Sequence, residues 1–209
     1  ALGLVGIIMA SLVAVFQDDV KRMFAYSSVA QIGYMLLGIG LASATGVGAA
    51  ILHIFNHALM KGALFLALGA VAYRIGAVTL GDFAGLGKRM PWTMAAIAIG
   101  GLSLIGVPPT AGFVSKWYLV LGTLEQGLWP IAVLILIGSL LALVYVWRLI
   151  EAAYFGAVAA DAPEVREAPA SMLVPIWILV AANIYFGINT DISVGAAMQA
   201  ATMLMGNGG

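Results

Sequence analysis

The stretch from Pro91 to Thr123 reads PWTMAAIAIGGLSLIGVPPTAGFVSKWYLVLGT, and it is the segment that says most about the fold. It is almost wholly apolar and is longer than the roughly 20 residues that a membrane-spanning helix needs. Gly106 and the Pro108–Pro109 pair interrupt it near its middle. Proline lacks an N–H, and its ring clashes with the preceding helical turn. The segment therefore predicts a discontinuous membrane helix, a device that recurs at ion sites in transporters.

The composition of the whole chain points the same way. Of its 209 residues, 63% are hydrophobic and only 9% are charged, against roughly 45–50% and 25% in soluble domains. The formal net charge is zero, which excludes a basic nucleic-acid-binding domain. Cysteine is absent, which excludes disulfides, iron–sulfur clusters and thiolate zinc sites. The composition thus predicts an integral membrane protein within a lipid bilayer, without nucleic acid as a partner.

Apolar runs predict about six transmembrane helices, which we call spans A to F. Their limits are close to Ala1–Phe16, Met23–Ala42, Val47–Tyr73, Pro91–Thr123, Leu128–Phe155 and Ala170–Ile188. The runs are too long for strands and lack alternation, so we predict an all-α fold. Residues 1–188 form one transmembrane domain in this interpretation, and residues 189–209 a Gly-rich tail. Since the chain starts without Met or a basic segment, we expect it to be part of a longer protein.

The cations in the turns and near the ends of the spans fall on one side of the predicted membrane. If successive spans alternate in direction, one side collects seven of the nine Lys and Arg residues, namely Lys21, Arg22, Arg74, Lys88, Arg89, Arg148 and Arg166. The turns on the other side and the tail carry none. The positive-inside rule predicts that the cation-rich side is cytoplasmic, which places the protein in the plasma membrane with its tail outside.

Span C carries the strongest candidate site. His53, His57 and Lys61 are four residues apart in turn, so they form one helical stripe about 12 Å long, with Asn56 beside it. Ionisable groups are costly inside a membrane, and histidine titrates near neutrality. We predict that the stripe moves protons or ions. The alternative is structural: Lys61 reaches the membrane surface and the histidines bond to helix carbonyl groups.

The same two histidines do not predict a metal site. They are the only histidines in the chain, and span C offers no third ligand beside them. We predict neither a metal nor a cofactor.

A second buried cation follows the helix break. Lys116 lies seven residues beyond Pro109, next to Ser115. One interpretation makes it a functional intramembrane charge. The other places it at the membrane interface, among the aromatic residues Trp117 and Tyr118.

Further polar residues lie on span B and in the turn before it. Ser27, Gln31 and Tyr34 share one helix face, which either holds water or bonds to neighbouring helices. Asp19 and Lys21 belong to the preceding turn, where a solvated turn with a helix cap is the simpler interpretation.

Three segments resemble one known family. They are QDDVKRMFAYSSVAQIGY (17–34), HIFNHALMK (53–61) and GVPPTAGFVSK (106–116). In this order they are similar to the antiporter-like subunits of complex I and of Mrp-type cation/proton antiporters, with the subunit-D branch of the Mrp group the most similar. The resemblance implies a fourteen-helix subunit built from two inverted five-helix repeats. Spans A, D and F would be its ninth, twelfth and fourteenth helices, so this chain would be its C-terminal part, containing the second repeat.

The resemblance also implies a function. The chain would be the proton-translocating subunit of a multi-subunit Na⁺(K⁺)/H⁺ antiporter, with other membrane subunits as partners. Lys61 would be the central relay, with His57 and His53 alongside, and Lys116 the terminal switch. Two alternatives stay open: a proton-pumping, non-redox subunit of NADH–quinone oxidoreductase or a related membrane-bound hydrogenase, and a structural membrane scaffold.

Overall fold

The computed structural model describes residues 1–76, 78–158 and 164–206, and these are almost wholly helical. The helices are α1 (Leu2–Val15), α2 (Val20–Gly40), α3 (Ala44–Ile75), α4 (Leu86–Arg89), α5 (Pro91–Ile105), α6 (Ala111–Glu125), α7 (Trp129–Phe155), α8 (Ala170–Ile188) and α9 (Asp191–Gly206). A short 3-10 turn over Leu80–Phe83 precedes α4. The predicted all-α fold is confirmed. The ends of each predicted span lie within a few residues of the ends of an observed helix, with span D corresponding to α5 and α6 together.

The helices form a multi-pass membrane bundle around α3. Helices α2, α3, α7 and α8 are each long and apolar enough to cross a membrane, while α1 and α5 are apolar but shorter. The long helix α3 contacts α2, α5, α6, α8 and α9, so it is the centre of the fold. Its side chains Met60 and Leu64 are fully buried. Polar residues on α3 therefore face protein on several sides.

The predicted break in span D is present. Helix α5 ends at Ile105, and Gly106 takes a left-handed conformation with φ of 93°. Glycine suits this position because it lacks the Cβ that makes positive φ unfavourable. The chain then passes through a cis Pro108–Pro109 bond, and α6 begins at Ala111. The break exposes helix ends inside the bundle, where backbone groups need other partners.

The loops that carry the cations meet at one end of the bundle. The turn before α2 joins the loop after α3 through hydrogen bonds from Val20 N to Val78 O (2.9 Å) and from Leu80 N to Asp18 O (2.8 Å). Arg148, near the end of α7, pairs with Asp18 at 3.0 Å. We call this the cation-rich end.

The opposite end joins the turn between α2 and α3 to the turn between α6 and α7. There the side chain of Gln126 donates to Leu41 O at 2.7 Å. Successive spans therefore alternate in direction, as the cation pattern predicts.

The segment assigned to a tail contains a helix that the sequence analysis did not identify. Helix α9 follows α8 after a two-residue interruption and packs on α3. Ile192 and Phe55 line one apolar groove, and farther along, Met198 and Ala201 lie against Gly48. Helix α9 thus runs toward the end at which α3 begins. Residues 207–209 of the predicted tail lie outside the described residues.

Candidate functional site: buried lysines and histidines

The polar face of α2 lies against the stripe on α3. The two helices run in opposite directions, so Ser27 lies beside Lys61 and Tyr34 beside His53. Ser27 accepts a hydrogen bond from Lys61 Nζ, and Gln31 Oε1 lies 3.1 Å from His53 Nε2. The rings of Tyr34 and His53 meet edge to face with centroids 5.7 Å apart. The face predicted on span B therefore bonds directly to the stripe on span C.

Lys61 is buried and turned inward. Its side chain is 5% exposed. Besides Ser27, its ammonium group donates to Phe24 O at 2.7 Å and lies 5.4 Å from the centroid of the Phe24 ring. A cation over an aromatic face gains electrostatic stabilisation. The alternative in which Lys61 extends to the membrane surface is wrong, because all of these partners lie inside the bundle.

The members of the stripe bond outward to other helices. His53 Nδ1 lies 2.7 Å from Ser115 Oγ on α6. The rings of His53 and His57 are stacked with centroids 6.4 Å apart, and His57 Nε2 is buried without a partner. Among the described residues, no hydrogen bond joins His53, His57 and Lys61 to one another. A proton moving along the stripe therefore needs a bridging water at each step.

Lys116 occupies the helix break. Its ammonium group donates to Leu104 O (2.9 Å), Ile105 O (3.0 Å) and Ser139 Oγ (3.2 Å). Since α5 ends at Ile105, the two carbonyl groups have no partner within the helix. They also form the negative end of the α5 dipole, which favours a cation. The break therefore creates the binding site for this amine.

The interface interpretation of Lys116 is wrong. The residue is 5% exposed, whereas the neighbouring Trp117 is half exposed. The side chain turns back toward Gly106 and Tyr34, whose ring centroid lies 4.7 Å from Nζ. Pro108 and Pro109 are exposed and lie between the end of α5 and the start of α6. A cavity of about 290 Å³ between the broken helix and α7 reaches Lys116 and Ser139.

Two asparagines hold the start of α6. Asn56 Nδ2 on α3 donates to Ala111 O at 2.7 Å. On α8, Asn183 Oδ1 accepts from Ala111 N (3.1 Å) and from Ser103 Oγ (2.9 Å). Ser103 Oγ in turn accepts from Gly112 N at 3.1 Å. Side chains from three helices therefore satisfy the backbone at the break.

Sequence reasoning missed Asn183, Ser103 and Ser139. Asn183 is a polar residue inside an apolar span, which is a usable signal. The two serines give no such signal, because single hydroxyl groups are common in membrane helices.

At the cation-rich end, Asp19 and Lys21 agree with the interpretation as a solvated turn with a helix cap. Asp19 Oδ1 caps α2 by accepting from Arg22 N at 2.9 Å, and Lys21 is exposed. Within the described ranges, no three His, Cys, Asp or Glu side chains cluster as metal ligands do.

Comparisons with known proteins agree with this architecture. The family described as "NADH:quinone oxidoreductase/Mrp antiporter, TM" matches residues 1–142. NADH-quinone oxidoreductase subunit N of Desulforudis audaxviator is 43% identical over 206 residues, which cover 93% of this chain and 41% of that protein. The chain thus spans about two fifths of the length of this curated relative.

Two solved structures share the fold. A chain of the Mrp complex from Dietzia sp. DQ12-45-1b superposes with a TM-score of 0.90 and 25% identity, over 99% of this chain and 47% of that one. A chain of the membrane-bound sulfane sulfur reductase, an archaeal respiratory membrane complex, does so with a TM-score of 0.83 and 37% identity, over 88% and 31%. Together with the family match over most of its length, these similarities show that the chain belongs to the NADH:quinone oxidoreductase/Mrp antiporter transmembrane family.

Proposed function

We propose that this chain is the proton-translocating part of a membrane subunit in a multi-subunit complex, and that Lys61 and Lys116 exchange protons within it. One observation carries the proposal: two buried amines on different helices donate hydrogen bonds to carbonyl and hydroxyl groups. Neither forms an ion pair with a carboxylate in the described part of the chain. An amine with neutral partners can release its proton without breaking an ion pair.

The spacing of the two lysines lets each respond to the other. Lys61 is at one end of the stripe, and Lys116 lies near His53 at the other end. The length of the stripe therefore separates the two lysines by about 12 Å along the bundle axis. At an effective dielectric constant near 20, two unit charges at that distance repel by on the order of 1 kcal/mol. A proton arriving at Lys61 therefore favours release from Lys116, and the reverse also holds. His57 and His53, with waters between them, carry the proton from one amine to the other.

The charge distribution and the relatives support a proposal for the orientation of the chain in the membrane and for its partners. The cation-rich end faces the cytoplasm of a cell whose plasma membrane holds the protein. The partners are other membrane subunits, because the similar chains belong to an Mrp complex and to a respiratory membrane complex.

Two energy sources are compatible with proton translocation by this chain. The high TM-score with the Mrp complex chain supports our first choice, a Na⁺ or K⁺/H⁺ antiporter in which the chain is part of a subunit of the D type. The 43% identity with an NADH-quinone oxidoreductase subunit supports the second, proton pumping coupled to quinone reduction. In the second case any iron–sulfur cluster is held outside this chain, since the chain has no cysteine.

The test uses Lys61→Ala and Lys61→Arg in the full-length subunit within its assembled complex. Proton flux is measured in inverted membrane vesicles, driven first by a Na⁺ or K⁺ gradient and then by an electron donor for quinone. Both variants should stop the flux, because alanine carries no proton and arginine does not release one. Lys88→Arg, at an exposed site on α4 at the cation-rich end, is the matched control and should retain full flux.

The outcomes separate the alternatives. The driving force that produces flux in the unaltered complex identifies the coupling. If the Lys61→Arg complex retains normal flux, Lys61 is only a structural charge. The interpretation of this chain as a structural scaffold is then correct.

A further inference from the structure

Tyr145 on α7 is a buried hydroxyl that the histidine stripe does not use. Its side chain is fully buried, and its hydroxyl group forms no hydrogen bond of good geometry with the described residues. The hydroxyl lies near those of Ser27 and Tyr34 on α2. Ser27 is the residue that accepts a hydrogen bond from Lys61. A polar atom without a partner thus adjoins the direct neighbour of the first lysine.

Two more hydroxyl groups lead from there to the second lysine. The hydroxyl of Tyr34 donates to Ile135 O at 3.3 Å and lies beside Ser139 on α7. Ser139 Oγ accepts from Lys116 Nζ at 3.2 Å. Ser27 and Tyr34 belong to α2, while Ser139 and Tyr145 belong to α7. Four hydroxyl groups on these two helices therefore lie between the amines without including either histidine.

Hydroxyl groups suit proton transfer because each can accept one hydrogen bond while it donates another. A buried hydroxyl without a partner loses the hydrogen bonds that it makes to water in the unfolded chain. A buried water that bonds to the Tyr145 hydroxyl would offset that loss. Such a water would also join Tyr145 to its neighbours on α2.

We propose that Ser27, Tyr145, Tyr34 and Ser139 form a second proton route between Lys61 and Lys116, parallel to the histidine stripe. This inference rests on the proposed function. A proton leaves the Lys61 ammonium, which becomes neutral. Each hydroxyl or water takes a proton on its oxygen and releases its own to the next member. Lys116 receives the last proton and becomes charged, so no hydroxyl changes its net protonation.

The test compares Tyr145→Phe, His57→Ala and the double variant in the full-length subunit in its complex. Phenylalanine keeps the ring and removes only the hydroxyl. If the routes are parallel and similar in capacity, each single change should leave roughly half of the proton flux, and the double change less than about a tenth. Independent sites would instead multiply to about a quarter. Tyr185→Phe, on the exposed face of α8, is the matched control and should leave the flux unchanged.

Two results would overturn the inference. If the double variant is no slower than His57→Ala, Tyr145 carries no protons. If Tyr145→Phe alone is as slow as the double variant, the hydroxyl lies in series with the stripe. Ser27→Ala tests the same route at its entrance, should Tyr145→Phe reduce the amount of complex.

Lys61→Ala in the same vesicles distinguishes these results from failure of the proposed function. Loss of flux in Lys61→Ala with either overturning result rejects only the second route. Normal flux in Lys61→Ala rejects proton translocation through this site altogether.

Discussion

At the scale of residues, the two buried lysines differ in what holds their ammonium groups. Lys61 bonds to Phe24 O, which also accepts hydrogen bonds from Ser27 and Ser28. Lys116 bonds to two carbonyl groups that the end of α5 leaves free. Hydrogen bonds from a charged donor are the stronger ones, and free carbonyl groups accept them without competition. The charged form of Lys116 is therefore held by its backbone surroundings.

Lys116→Ala should stop proton flux while the complex still assembles. The change removes the terminal acceptor but leaves the helix break intact, because glycine and proline form the break. Flux in inverted vesicles and the amount of purified complex are the two measurements. Lys88→Ala, which removes an exposed lysine outside the spans, should leave both unchanged. Normal flux in Lys116→Ala at normal complex levels would contradict the assignment of Lys116.

At the scale of elements, the start of α6 is capped from a distance. Thr110 is at the N-cap position, yet its hydroxyl donates to Val107 O instead of capping the helix. Asn183 and Ser103 accept from the first two N–H groups of α6 in its place. Gly112 is needed here, since a Cβ would collide with Ser103 O. Helix α8 thus sets the position of α6, and with it the position of Lys116.

Asn183→Ala should destabilise the protein by about 1–3 kcal/mol, because it leaves the Ala111 N–H and the Ser103 hydroxyl without their partner. Thermal unfolding of the purified complex in detergent measures the effect as a lower midpoint. The control is Asn189→Ala at the exposed end of α8, which should change the midpoint little. Equal midpoints for the two variants would show that Asn183 does not hold the break.

At the scale of the whole molecule, the bundle has two chemically different ends. Seven of the nine cations lie at the cation-rich end, six of them on helices α2, α3, α4 and α7 and Arg166 in the loop before α8. There Arg148 also donates to Val15 O and Gln17 O. The opposite end carries Glu125 and Gln126, both exposed. Charge asymmetry of this kind sets the orientation of membrane proteins during insertion.

We expect Glu125→Cys in the full-length protein to react with an impermeant thiol reagent in intact cells. Lys88→Cys should react only after the membrane is permeabilised. This sequence contains no cysteine, so each introduced thiol is unique within it. The opposite labelling pattern would reverse the orientation.

The sequence alone determined the six spans, the helix break and the positions of the candidate charges within the spans. Apolar length set the spans, because a bilayer of fixed thickness requires about 20 such residues. Gly106 and the prolines determined the break, because they limit the backbone wherever they occur. His53, His57 and Lys61 were recognisable since helical spacing alone places them on one stripe. Helix α9 was not predicted, because a short segment of small residues has only a weak hydrophobic pattern and its helix partner is unknown from sequence.

Only the tertiary structure decided what each polar group touches. Lys61 meets Ser27, His53 meets Ser115, and Lys116 meets Ser139, and the members of each pair belong to different helices. Such contacts depend on how helices rotate and cross, which spacing within one helix does not specify. For the same reason the sequence left Lys116 open between interface and interior. The packing of α5, α6 and α7 placed its amine at a helix end, where unpaired carbonyl groups bind it.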